Sequence, residues 1–190
     1  MDYLKKIEDI LSENMTEECF KLWLDMKEKI YNIWEKPSSS TLKYHKKEDG
    51  SVQSIIEHTY EMIYATIPLL SIFNIKPKSN ECNRLLLAVF CHDSFKYGSS
   101  SNAIFNLHTD KRHDKITADI IHKNRNYFLQ IFNEKEISLL EENVRYHSGR
   151  WSTDAKQDFS FKNLDPTTMF VHMLDMMSSR NLIKIIDGDK

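Results

Sequence analysis

Chain-breaking residues are scarce in this sequence, with 4 glycines and 4 prolines among 190 residues. So few argue against many tight turns and predict a helical protein. Cysteine is scarce too. Cys19, Cys82 and Cys91 form neither a paired framework nor a CxxC, which fits a reducing compartment where a cysteine in an apolar run is a small hydrophobe. Neither sign of charge dominates: the formal net charge is −2, so no global basic field points to a stable nucleic-acid complex. No apolar run reaches membrane-spanning length, and the opening MDYLKKIEDI is amphipathic, without the apolar core of a signal peptide. These absences predict one soluble, cytoplasmic globular domain that does not associate with a membrane.

What the chain does contain is helical periodicity. Leu4, Ile7, Ile10 and Leu11 form one stripe, and Phe20, Trp23, Met26, Ile30 and Trp34 another, predicting two helices between Tyr3 and Glu35. A polar loop from Lys36 to Ser51 follows. Further helices are expected over 52–73, 80–93, 111–123 and 165–186, with a helical region over 124–147. Asp165-Pro166 supplies a cap and a first-turn residue for the last of them. Polar loops cover 97–110 and 148–163. No convincing strand is present, so the predicted fold class is all-α, a single-domain helical bundle. Residues 1–42 form N-terminal helices and a linker packing on a core of 43–190, with a dimer face as the alternative use of the N-terminal pair.

Ionisable residues interrupt the apolar faces of these helices. His58 shares a face with Ile55, Met62 and Leu69; His113 with Ile116 and Ile120; His147 with Ile137, Leu140 and Val144; and Asp175 with Val171 and Leu182. The most hydrophobic segment, RLLLAVFC, ends on His92 and Asp93. One histidine in an apolar stripe is usually a satisfied core residue. A lone buried carboxylate is harder to accommodate, because it must be paired or bind a cation. Four imidazoles and two carboxylates on five helices point to one shared divalent metal site.

The order of these residues resembles the HD-domain superfamily of metal-dependent phosphohydrolases, whose pattern is a His, a His-Asp doublet and a distant Asp on a helical bundle. His58, His92-Asp93 and Asp175 match it, within SVQSIIEHTYEM, CHDSFKYG and VHMLDMMSSR. The resemblance covers about residues 43–180. RHDKITADII and VRYHSGRW are similar to segments of binuclear members, which implies His113 and His147 as ligands of a second metal and Asp93 as a bridge. The HDSFKYG wording resembles small phage-encoded or bacterial members, which would place the protein in a host cytoplasm if phage-encoded. The implied cofactor is one or two divalent ions per chain, from among Mn, Fe, Co, Mg, Ni and Zn. The implied partner is a small phosphorylated substrate such as a nucleotide.

Around the ligands, Lys96 and Arg180 are the candidate phosphate-binding cations, Lys96 and Asp93 taking part in catalysis. Arg150 and Trp151 are candidates to hold a phosphate and stack on a base. His172, one turn before Asp175, is expected to support the ligands or act as a general acid. His45, His108 and His122 read as ordinary loop or surface residues, and Asp114 as an exposed first-turn residue. The KYHKK run at 43–47 reads as a solvated loop. Two other functions fit the same residues: a mixed-valent di-iron oxygenase of the same fold, and a non-catalytic nucleotide-binding module.

Overall fold

The computed structural model describes residues 2–30, 33–39, 45–47 and 49–185. Among them the chain is all-helical, with two isolated β-bridges, Pro37–Ser54 and Lys46–Val52, and no sheet. The helices are α1 (Tyr3–Asn14), α2 (Glu17–Lys29), α3 (Ile55–Ile72), α4 (Asn80–Cys91), α5 (His113–Lys123), α6 (Arg125–Phe128), α7 (Glu134–Arg145) and α8 (Pro166–Ser179). No helix among the described residues is long and apolar enough to cross a membrane.

Local chemistry explains most boundaries. Ser54 and Glu57 form a reciprocal capping box at the start of α3, and Asn133 and Glu136 form another at α7. Ser79 caps α4, and Asp165 with Pro166 starts α8.

Helix α4 is the hub. Every residue from Cys82 to Cys91 is buried, and α1, α3, α7 and α8 all pack against it. Trp23 of α2 meets Phe90 edge-on with ring centroids 5.3 Å apart, so the N-terminal helices share the main core. The buried Arg84 links three helices, donating from Nη1 to Asn143 Oδ1 (2.7 Å) on α7 and Thr167 Oγ1 (2.9 Å) on α8. The effect is to hold α7 and α8 against α4 so that all three present their ends to one place.

Three sequence expectations are corrected. The second helix stops at Lys29 rather than Glu35; Ile33 and Trp34 reach the core from an irregular segment, tertiary burial overriding helical period. The expected helical region 124–147 holds two helices, Asn133 capping the second. A 3-10 turn at Ser101–Phe105 lies inside the predicted polar loop. The last helix ends at Ser179. There Asn181 adopts φ +55°, Leu182 N–H donates to Met177 O (2.9 Å) and Asn181 N–H to Ser178 O (3.0 Å), a C-terminal motif that closes the helix. Leu182 is therefore off the helix and exposed. Residue 186, and the 42/43 division between helices and core, lie outside the described residues.

Candidate metal centre

The cluster forms where α3, α5 and α8 converge on the C-terminal ends of α4 and α7. His92 is the residue at which α4 stops, and His147 lies just past α7. Both helix ends carry partial negative charge, which favours a cation there. His58 comes from the second turn of α3, His113 begins α5, and Asp175 lies on α8. His58, His92, Asp93 and His147 are buried, while His113, His147 and Asp175 line a cavity of about 340 Å³.

Each imidazole is aimed by its Nδ1. His92 Nδ1–H donates to Val89 O (2.7 Å), His147 to Val144 O (2.7 Å) and His113 to Asp110 O (3.0 Å). A carbonyl can only accept, so each Nδ1 carries the proton and each neutral ring presents an Nε2 lone pair. His58 is set by a relay: Nδ1–H donates to Ser178 Oγ (2.8 Å), which donates to Glu61 Oε2 (2.7 Å). Partners of this kind orient metal-binding histidines and typically contribute about 10–100-fold to affinity. Ser178→Ala is expected to weaken divalent-metal binding by about tenfold or more, measured by calorimetric titration of manganese.

The Nε2 atoms approach in pairs. His58 and His92 Nε2 are 3.1 Å apart, and His113 and His147 Nε2 are 3.2 Å apart. Asp93 lies between the pairs. Its Oδ2 is 3.4 Å from His92 Nε2 and 3.8 Å from His58 Nε2. Its Oδ1 is 3.2 Å from His113 Nε2 and 3.8 Å from His147 Nε2. Asp175 Oδ1 is 3.2 Å from His58 Nε2. Two lone pairs facing each other at this distance repel unless a proton or a cation lies between them. Ligands at about 2.1 Å from one ion, at angles from square to tetrahedral, sit about 3.0–3.4 Å apart. The donor set therefore fits a divalent metal, and Asp93 Oδ1, buried without a hydrogen-bond partner among the described residues, is an orphan such an ion would satisfy.

The electrostatics agree. Burial raises the Asp93 carboxyl, but Lys96 and the His92 and His113 imidazoles outweigh it and hold it well below the usual carboxylate range. Asp175 is likewise lowered, its burial outweighed by His58. Burial pushes His147 down to about 4, helped by His92 and His113, and it also lowers His58 despite Asp175. His92 moves the other way: burial lowers it, yet Asp93 beside it leaves it raised.

The other sequence candidates fall around this centre. Lys96 Nζ pairs with Asp93 Oδ2, and its side chain lines the cavity. Trp151 and Arg180 are exposed and line the same cavity, with the Arg150 guanidinium 5.6 Å from the Trp151 ring centroid. His172 does not line that cavity. It donates from Nδ1 to His147 O (2.7 Å) and meets Phe161 at a tilt, ring centroids 5.0 Å apart, so it positions the backbone of a cluster residue. Gly149 makes room for it: at φ +61°, an added Cβ would lie 2.8 Å from His172 Cε1. His108 and His122 are exposed.

Two residues differ from their sequence expectation. Asp114 is buried, not exposed, and accepts from Thr153 N–H (2.5 Å) and Oγ1 (2.6 Å), pinning the loop that carries Trp151. His45 is buried at 6 % exposure and lines the cavity. Its ring centroid is 4.4 Å from that of His58, and it belongs with His58 and Asp175 to a group whose donor atoms all lie within 4.8 Å of one another. No periodicity could flag it, because it sits in a loop. Lys43 and Tyr44 of the same basic run lie outside the described residues.

A second cavity, about 310 Å³, is lined by Met26, Ile120, Ile121 and Phe128 among others. No histidine or carboxylate lines it, in contrast to the cavity over the cluster. No family model, curated protein or solved structure matches this chain.

Proposed function

We propose that the protein is a metal-dependent phosphohydrolase of the HD-domain type, binding two divalent ions and cleaving a phosphate ester or anhydride of a nucleotide or similar small molecule. The observation that carries this reading is Asp93, whose two oxygens each face a separate pair of imidazole Nε2 atoms. That is the arrangement of a bridging carboxylate. A bound ion pair would supply a hydroxide at neutral pH and neutralise phosphoryl charge.

The chain's own residues then divide the remaining work. Asp93 holds Lys96 at the cavity floor, from where its ammonium can reach a substrate phosphate once Asp93 is otherwise compensated. Arg180 offers a second cation at the rim, and Trp151 an exposed aromatic face suited to stacking on a base. A volume of about 340 Å³ is at the small end of ligand pockets. This suits a mononucleotide-sized substrate better than a polymer.

The test is a screen of nucleotides and simple phosphate esters with manganese or cobalt, in air and under anaerobic conditions. Metal-dependent phosphate release that is indifferent to oxygen is expected. Turnover only with iron and oxygen would instead assign the centre to the di-iron oxygenases, and stoichiometric metal without turnover of any phosphate ester would assign it to nucleotide binding.

A further inference from the structure

His45 stands out among the buried polar residues. Its Nδ1 is buried and has no hydrogen-bond partner among the described residues, which is costly for a ring nitrogen unless a ligand completes it. Its backbone is held from both sides: His45 N–H donates to Ser179 O (3.0 Å) at the end of α8, and Gln53 N–H donates to His45 O (2.7 Å) just ahead of α3. The residue is kept at φ +58°, a region few side chains occupy. A histidine held there by two elements, edge-on to His58 and within 4.8 Å of the His58 and Asp175 donor atoms, is placed to bind what those two bind.

We infer that His45 is an additional protein ligand of the metal position formed by His58, His92, Asp93 and Asp175. This inference rests on the two-ion reading of the centre. It makes the positions chemically unequal. In the first, His45 joins His58 and Asp175, whose donor atoms lie within 4.8 Å of its own, next to the His58, His92 and Asp93 group, which leaves that position less room for other ligands. The second has three donors, Asp93, His113 and His147, and keeps room for other ligands. Of the pair, the second position therefore has more room for substrate phosphate and the reacting water, and its His113 and His147 line the same cavity as Trp151.

Cobalt(II) reports this directly, since its visible absorption depends on coordination number and its binding can be titrated. The variant to use is His45→Gly, because glycine tolerates the positive φ and keeps both backbone hydrogen bonds. In the wild type two binding events are expected. In His45→Gly one of them should weaken by about tenfold or more, with an altered spectrum, and added imidazole should restore both. His113→Ala should weaken the other event instead. Unchanged cobalt binding in His45→Gly overturns the inference. Weaker binding that imidazole does not restore also overturns it, because the loss is then structural. Absence of cobalt binding in the wild type removes the metal reading itself, an outcome separate from either.

Discussion

Replacing Asp93 with alanine is expected to remove metal-dependent hydrolysis, lowering kcat by at least about 10³-fold, since a bridging metal pair contributes several kcal/mol to the barrier. The carboxylate is buried, faces four imidazole nitrogens and holds Lys96. Its loss leaves a part-buried ammonium against the Nε2 atoms, so metal content should fall together with activity. Elemental analysis of the purified variant alongside the wild type checks this. Near two ions per chain in the wild type, lost in the variant, is the expected pair of results. Asp93→Asn serves as the same-shape control: it keeps the volume but removes the charge, and should lose metal while retaining the helical circular dichroism spectrum. Full metal content and activity in either variant would remove Asp93 from the centre.

The second large effect is on stability. Stripping metal with a chelator should leave a protein whose stability falls steeply as the pH drops below neutral. An ordinary histidine titrates near 6.5, whereas burial holds His147 at about 4 and His45 at about 2, and His58 is also lowered. As the pH falls through 6.5 the unfolded chain takes up protons at these positions and the folded protein does not. Stability is thus fully present above pH 6.5 and is lost progressively on the way down, to about 4 for His147 and to about 2 for His45. His92 opposes this. Its raised value adds stability that is present below pH 6.5 and lost as the pH rises through that value. Three lowered histidines outweigh one raised, and for each of them a tenfold difference in proton affinity between folded and unfolded chain is worth about 1.4 kcal/mol. The net loss between pH 7.5 and 5 should therefore be on the order of a few kcal/mol. Because an ion binds the assembled cluster and not the unfolded chain, saturating manganese at 100 times its Kd should add about 2.7 kcal/mol at pH 7.5. Competition with protons should reduce that gain in acid. Urea denaturation with chelator and with manganese at both pH values measures all four states; equal midpoints with and without metal at pH 7.5 would contradict a metal centre coupled to folding.

Much of this centre is present in the linear sequence. His58 and Asp175 can be picked out because each interrupts an apolar helical face, and His92 and Asp93 because they end the most hydrophobic segment; a helix converts spacing into direction with little help from its surroundings. His113 and His147 are legible the same way, although α5 buries its 114/117/118/121 face and delivers His113 from its first turn. The all-α class follows from the shortage of glycine and proline together with apolar periodicity, which short-range interactions settle on their own. The start of α8 is legible in Asp165-Pro166; its end at Ser179 is encoded by Asn181 but is clear only from the left-handed turn that residue adopts.

Tertiary structure alone decided the rest. Asp114 reads as a first-turn surface carboxylate until the 148–163 loop folds over it and supplies Thr153 as a donor. The segment with Ile33 and Trp34 looks helical by period yet is irregular, because burial, of Trp34 against Phe90, stabilises those side chains whatever the backbone does. His45 is the clearest case. It lies 13 residues before His58 in a polar, basic run, with no periodic pattern to give it a face. Its place beside His58 and Asp175 comes from hydrogen bonds to Ser179 and Gln53, partners that only the closed bundle brings near. Helical faces are determined by local geometry and can be read along the chain; the environment of a loop residue is determined by whatever packs over it.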